Sequence, residues 1–291
     1  MHIFPDGVRP ASLCLPNLPI DLLVTQVESF ESLYSFVKLV GQGKTCEVKL
    51  AVCSETGQRF AVKVIKKGTV LLEKVERELQ ILHSLDHPNV CRLHKTFEDQ
   101  DCYYLVFPCY QRTLLSLLKS KTALKLEQKQ HIARQIVLAV EYVHSMNIVH
   151  RDLKLDNVMV DEGLNVCLID FGLADFLSST GFMDKFCGTP FYSSREVLLK
   201  RPYTVATDMW SVGVIVFALL AGRLPFHAKD ISTLTKKVEH VEYHFHPRDE
   251  VDETAKHFVS CLLSAEPGLR LTATAALKHP WFLVEGPEGS D

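Results

Sequence analysis

The sequence predicts an α+β fold in two lobes, a small β-rich lobe with one key helix and a larger, mainly helical lobe, with a cleft between them. Three observations carry that expectation. In the first third of the chain apolar residues alternate at a period of two. Val48, Leu50 and Val52 share one strand face and Phe60, Val62 and Val64 another, with Glu55-Thr56-Gly57 as the turn between and Tyr103 to Phe107 as a further strand. Within this region Leu71, Val75, Leu79 and Leu82 recur at helical spacing instead. Beyond Thr113 the helical period takes over, with apolar stripes over 126 to 145, 206 to 221 and 252 to 263.

The chain has 291 residues, 47% hydrophobic and 23% charged, enough to bury a sizeable core. Lys plus Arg number 32 against 35 Asp plus Glu, a net charge of -3, so neither nucleic acid nor an anionic membrane is expected as a partner. Nine cysteines with no Cys-x-x-Cys pair read as reduced thiols of a cytoplasmic protein, with the nucleus as a second location. The first residues carry no basic segment followed by an apolar run and are interrupted by proline, which argues against a secretion signal. The apolar run from Val212 to Ala221 is about half a membrane span and suits a buried helix.

Three clusters carry chemistry. Between two predicted strands lie Val40-Gly41-Gln42-Gly43-Lys44-Thr45-Cys46-Glu47-Val48, whose glycines would let backbone amides approach a phosphate. Taken alone this is more often just a tight turn. Next comes Phe60-Ala61-Val62-Lys63, which sets an ammonium among apolar neighbours on the face of Ala61 and Ile65, where it needs an anion. Glu78 falls on the stripe of Val75 and Leu82 and offers one, whereas Glu73, Lys74, Glu76 and Arg77 point away; the plainer reading is a half-exposed carboxylate at the edge of the stripe. The third cluster decides between these readings: His150-Arg151-Asp152-Leu153-Lys154-Leu155-Asp156-Asn157, then Asp170-Phe171-Gly172 after the apolar run Val166 to Ile169. Phosphoryl transfer needs such a set, with a carboxylate to align a hydroxyl, a cation to neutralise charge and oxygen ligands for magnesium.

In this order the segments resemble the catalytic domain of eukaryotic-type serine/threonine protein kinases, over residues 36 to 283. The resemblance implies a first lobe over 36–107, a hinge over 108–112 and a second lobe over 113–283, flanked by an irregular extension (1–35) and a short tail (284–291). It implies transfer of the γ-phosphate of ATP, with Mg2+, to Ser or Thr hydroxyls of protein substrates. Lys63 would hold the α/β-phosphates and pair with Glu78, Asp152 would orient the hydroxyl and take its proton, and Lys154 would support the γ-phosphate. Asn157 and Asp170 would bind the metal. The ATP site would comprise the loop from Val40 to Cys46, with Val48, Ala61 and Met159 around adenine, Phe107 as gatekeeper and Cys109 in the hinge. Leu82, Leu93, His150 and Phe171 would stack as an internal spine. Cys187-Gly188-Thr189-Pro190 is similar to the substrate-binding loop, Asp208 would tie down the catalytic loop, and Arg270 would pair with Glu196. His279-Pro280-Trp281-Phe282 and His87-Pro88-Asn89 are most similar to the calmodulin-dependent and AMP-activated kinase group.

Three positions depart from the pattern: Cys46 replaces the third loop glycine, Arg195 replaces the proline of Ala-Pro-Glu, and Lys185 stands where relatives carry a phosphorylatable Thr. Cys46 is therefore either a modifiable thiol or a cysteine tolerated for its size. For Arg151 a fixed carboxylate at Asp184, a displaced phosphate on Ser178, Ser179 or Thr180, or a mobile loop all remain open, the carboxylate being favoured. Acids that would read a basic substrate are mostly missing, leaving Asp156, and any regulatory partner is unreadable. The competing function is a nucleotide-binding scaffold without useful catalysis. His240, His244 and His246 have metal-like spacing but no completing ligand, and are expected to be solvated or packed.

Overall fold

The computed structural model describes residues 29–43, 45–120 and 122–283. The expected extension before residue 29, Lys44 and the tail after residue 283 lie outside the described residues.

The period-two region forms an antiparallel sheet from β1 (Tyr34–Gln42), β2 (Cys46–Cys53), β3 (Arg59–Lys66), β4 (Lys95–Glu98) and β5 (Cys102–Pro108), in the order β1-β2-β3-β5-β4. Alternation decides the two faces. Phe60, Val62 and Val64 point outward into a cluster with Tyr34, Phe97, Tyr104 and Val106, while Ile65 and Leu105 point inward onto Leu79 and Leu82. Lys63 shares the inward face, in register with Leu105 on one side and Val48 on the other.

The chain is ordered earlier than the predicted extension allows. A short helix α1 (Phe30–Leu33) precedes β1, capped by the Ser29 side chain, and the Phe30 ring stacks 4.6 Å from Tyr104 and 5.3 Å from Tyr34. Without Phe30 the outer aromatic face would meet water, so its burial to 2% exposure is the reason these residues are not loose. Between β3 and β4 lies α2 (Leu72–Ser84), which buries Val75, Glu78, Leu79, Ile81 and Leu82. Leu71, expected on that stripe, is instead the exposed residue before the first turn.

The second lobe begins with β6 (Arg112–Thr113), α3 (Leu114–Lys119) and α4 (Leu126–Ser145), the last with the predicted limits. Two small sheets follow: β7 (Ile148–Val149) with β10 (Asp175–Phe176), and β6 with β8 (Val158–Val160) and β9 (Val166–Leu168). Then come α5 (Arg195–Leu198), α6 (Ala206–Ala221), α7 (Ile231–Glu239), α8 (Glu253–Leu262) and α9 (Ala273–Ala276). Every residue of α6 from Thr207 to Leu220 is buried, so its apolar run is a helix wrapped by protein on all sides. Gly213 permits this, because a Cβ there would lie 2.9 Å from Leu262 and Leu263. Among the described residues no helix is long and apolar enough to cross a membrane.

Candidate active site

The loop from His150 to Asn157 leaves β7 and enters β8. It is anchored by Asp208 of α6, whose carboxylate accepts the backbone N–H of His150 at 2.8 Å and of Arg151 at 3.0 Å and lies 3.0 Å from His144 Nε2. Burial would push this carboxyl up, but His144 and the backbone donors outweigh it and hold Asp208 below the usual carboxylate range. The role expected of Asp208 is thus visible as two hydrogen bonds to the loop backbone.

Both oxygens of Asp152 are engaged. Thr189 Oγ1 donates to Oδ1 at 2.7 Å, and Lys154 Nζ lies 2.5 Å from Oδ2 and 3.2 Å from Thr189 Oγ1. Asn157 Nδ2 donates to the Asp152 backbone carbonyl at 2.9 Å and to Oδ2 at 3.3 Å. Thr189 reaches this point because Gly188 passes close beneath the loop with φ of 100°: a Cβ there would lie 2.4 Å from the Arg151 carbonyl oxygen. Pro190 then opens a short 3-10 turn over Pro190–Tyr192.

On the opposite wall Lys63 Nζ lies 2.6 Å from Glu78 Oε1 and 3.3 Å from Asp170 Oδ1. Burial disfavours the ammonium, yet the two carboxylates prevail and its pKa is raised above the ordinary lysine value. Asp170 responds in kind: burial raises its pKa, while Lys63 and then His150 bring it below the usual range. Its backbone holds a φ of 63°. With Asn157 Nδ2 committed to the loop, the Asn157 side-chain oxygen Oδ1 and the Asp170 carboxylate remain as hard oxygen donors, the chemistry that suits Mg2+. Behind them the His150 and Phe171 rings lie 4.8 Å apart, Leu82 shares their core and Leu93 packs on it.

Val40, Gly41 and Gln42 end β1, and the Gly43 N–H donates to Cys46 O at 2.9 Å, closing the turn that contains Thr45 and leads into β2. Ala61 is in register with Phe107 at the end of β5, and Met159 is half-buried on β8, in register with Cys167. Cys109 is exposed. Burial pushes the Cys46 thiol up, Lys63 opposes this, and Asp170 and Glu78 add to it; the net rise disfavours the reactive thiolate that was one of the two readings.

The other departures are also accommodated. Arg195 opens α5 and pairs with Glu266 at 2.9 Å and Glu239 at 3.6 Å, so its charge is spent on neighbouring segments. Glu196 and Arg270 form the expected pair, at 2.8 Å. The favoured partner of Arg151 is corrected: Asp184 is exposed and, among the described residues, forms no ion pair, whereas Arg151 Nη2 lies 3.4 Å from Asp175 Oδ2. Arg77, expected to point away from the apolar stripe of α2, meets the same carboxylate at 3.3 Å. Asp156 lies exposed in the turn over Leu155–Asn157.

One cluster escaped the sequence reading. His257 and Cys261, one turn apart on α8, meet His279, with ligand atoms within 4.8 Å of one another, the one such group among the described residues; His240, His244 and His246 do not form one. The Trp281 N–H donates to His279 Nδ1 at 3.1 Å, so the His279 proton resides on Nε2, 2.9 Å from His257 Nδ1. A metal on that nitrogen would have to displace the proton and forfeit the cap. The spacing of four on a helix was the available signal.

Fold and site together define a bilobal phosphotransferase. The family model of the protein kinase domain matches residues 34–282, and the chain belongs to that family, within its serine/threonine class. The chain is similar to the serine/threonine-protein kinase RAD53 of Saccharomyces cerevisiae, 37% identical over 87% of this chain and 33% of that protein. It is 36% identical to a probable myosin light chain kinase of Dictyostelium discoideum, over 86% of this chain and 83% of that protein. An SNF1-related protein kinase catalytic subunit of Arabidopsis thaliana is 33% identical over 86% of this chain and 51% of its own length. The chain thus spans a third of the length of one such relative and most of another.

Proposed function

We propose that the chain transfers the γ-phosphate of Mg-ATP to serine and threonine hydroxyls of protein substrates, through a domain of two lobes joined at 108–112. The observation that carries this reading is the occupied carboxylate of Asp152. Thr189 and Lys154 hold it from two sides, which fixes its rotamer and aims it at the place where a hydroxyl proton would be taken. In this reading the substrate hydroxyl replaces Thr189 as a donor to Asp152, and Lys154 faces the transferred group. Lys63 supplies a fixed positive charge to the nucleotide phosphates, kept in place by Glu78. Asn157 and Asp170 would hold Mg2+, which would supply neutralisation of phosphate charge when bound. A Cβ at Gly41 would meet nothing within 4 Å, whereas one at Gly43 would touch the Cys46 carbonyl oxygen at 3.5 Å, so at Gly41 a phosphate is the better reason for glycine. An aliphatic hydroxyl, that of Thr189, already donates to the base at 2.7 Å, which supports aliphatic over phenolic acceptors. A cytoplasmic or nuclear setting fits a chain whose eight described cysteines are all unpaired.

The test is magnesium-dependent transfer from γ-labelled ATP to a generic basic protein, with phosphoamino-acid analysis of the product. Phosphoserine or phosphothreonine is expected, and Asp152→Ala should abolish it while nucleotide binding persists. No transfer by the parent chain, or undiminished transfer by the variant, would refute the reading.

A further inference from the structure

Asp175 stands at a junction that the activity described so far does not use. It lies on β10, in register with Val149, two residues before Arg151. Its two carboxylate oxygens serve two different elements. Oδ1 lies 3.3 Å from Arg77 Nε on α2, the helix that carries Glu78, and Oδ2 lies 3.4 Å from Arg151 Nη2, beside Asp152. Neither end is loose. The Phe176 N–H donates to Asp175 Oδ1 at 3.0 Å and fixes the carboxylate, the Arg77 guanidinium lies 5.3 Å over the Phe176 ring, and Arg151 Nε donates to the Leu173 carbonyl at 2.5 Å. Arg151 is largely buried and Asp175 about four-fifths so, which shields that pair from solvent.

Resting on the proposed phosphotransfer, we infer that Asp175 is a positioning residue. One carboxylate ties α2 to the catalytic loop through Arg77 and Arg151, and gives those arginines their anion without a phosphate on the activation segment. Removal of Asp175 would leave two guanidinium groups, one of them largely buried, facing each other across an empty junction. Their repulsion would move α2, and with it Glu78, away from Lys63. The Asp152 carboxylate is anchored separately by Thr189, Lys154 and Asn157 and would stay. The cost should therefore fall on the catalytic step rather than on nucleotide binding.

The experiment measures kcat and the KM for ATP on the full chain after phosphatase treatment, with mass spectrometry verifying that no phosphate remains. The dephosphorylated parent is expected to keep most of its kcat. Asp175→Asn, isosteric and uncharged, should lower kcat about tenfold or more at a KM for ATP changed less than about threefold, the size of effect typical of a coupling contact. Asp175→Glu should recover a substantial part. Arg77→Gln, on the half-exposed face of α2, should lower kcat in the same direction and add little to Asp175→Asn, because both break one link. Asp184→Ala should match the parent. An Asp175→Asn protein as active as the parent overturns the inference, and so does loss of most turnover on dephosphorylating the parent. If Asp175→Asn fails to fold, the Arg77→Gln result decides in the same two ways. A parent chain that transfers no phosphate at all removes the functional reading itself, which separates the two failures.

Discussion

Lys63 and Glu78 are joined across the cleft wall at 2.6 Å, a strand and a helix locked by one ion pair with both side chains largely buried. The pair sets the position of α2 and the charge at the nucleotide site together. Lys63→Met should lower kcat by about 10²–10³, as removal of one fixed electrostatic partner of a transition state does. Because the carboxylates raise the Lys63 pKa above its ordinary value, the ammonium stays charged throughout the neutral range. The pH–rate profile between about pH 6 and 9 should therefore show no basic limb from this lysine. Steady-state kinetics over that range checks both statements.

Arg270 is almost wholly buried and pairs through Nη1 and Nη2 with both oxygens of Glu196, at 2.8 and 3.3 Å, while its guanidinium lies 5.2 Å over the Trp210 ring. Arg270→Ala should cost about 3–5 kcal/mol of stability, since it strands a buried carboxylate. The double variant Glu196→Gln with Arg270→Met should be less destabilised than that single variant. Urea unfolding of the three proteins reads out both effects.

Asp208 makes part of the stability of the fold depend on acid pH. Its folded pKa lies below the unfolded value of about 4, so the stability it contributes is whole above that value and is lost as pH falls through the folded pKa. Asp170 acts with the same sign. Asp208→Asn should cost about 2–3 kcal/mol at pH 7, and the difference from the parent should shrink below about pH 4. Denaturation midpoints measured at pH 7, 5 and 3.5 would expose any opposite trend.

Phe30 covers the outer face of the first-lobe sheet, stacked on Tyr34 and Tyr104 and edge-on to Phe97 at 5.9 Å. Phe30→Ala should destabilise the protein by about 3–5 kcal/mol. A chain beginning at residue 36 should lose at least as much relative to one beginning at residue 29. Thermal unfolding of the three chains distinguishes a structural cap from a dispensable extension.

Much of the site was legible because its chemistry is written locally. The faces of β3 follow from a period of two, so Lys63 had to share a side with Ala61 and Ile65. The face of α2 follows from a period of 3.6, so Glu78 had to travel with Val75 and Leu82. Asp152, Lys154 and Asn157 stand close together in one short loop, so they had to lie near one another, although Asp208 and Thr189 hold the arrangement. Relationships that depend on where a whole element comes to rest were not legible. Leu71 looks like part of the stripe until the helix is seen to start after it, and Phe30 looks like the end of an irregular arm until an aromatic sheet face stands uncovered beside it. Arg77 lies off the apolar stripe of its own helix, and that position does not record the carboxylate it meets. Only the tertiary structure brings β10 alongside β7 and beneath α2, and so turns Asp175 rather than Asp184 into the carboxylate that faces Arg151. The sequence by itself determined the reacting groups and the faces they share, since backbone periodicity acts over a few residues. Packing decided which charges meet across 24 and 98 positions of chain, because that depends on how elements dock and no local period records it.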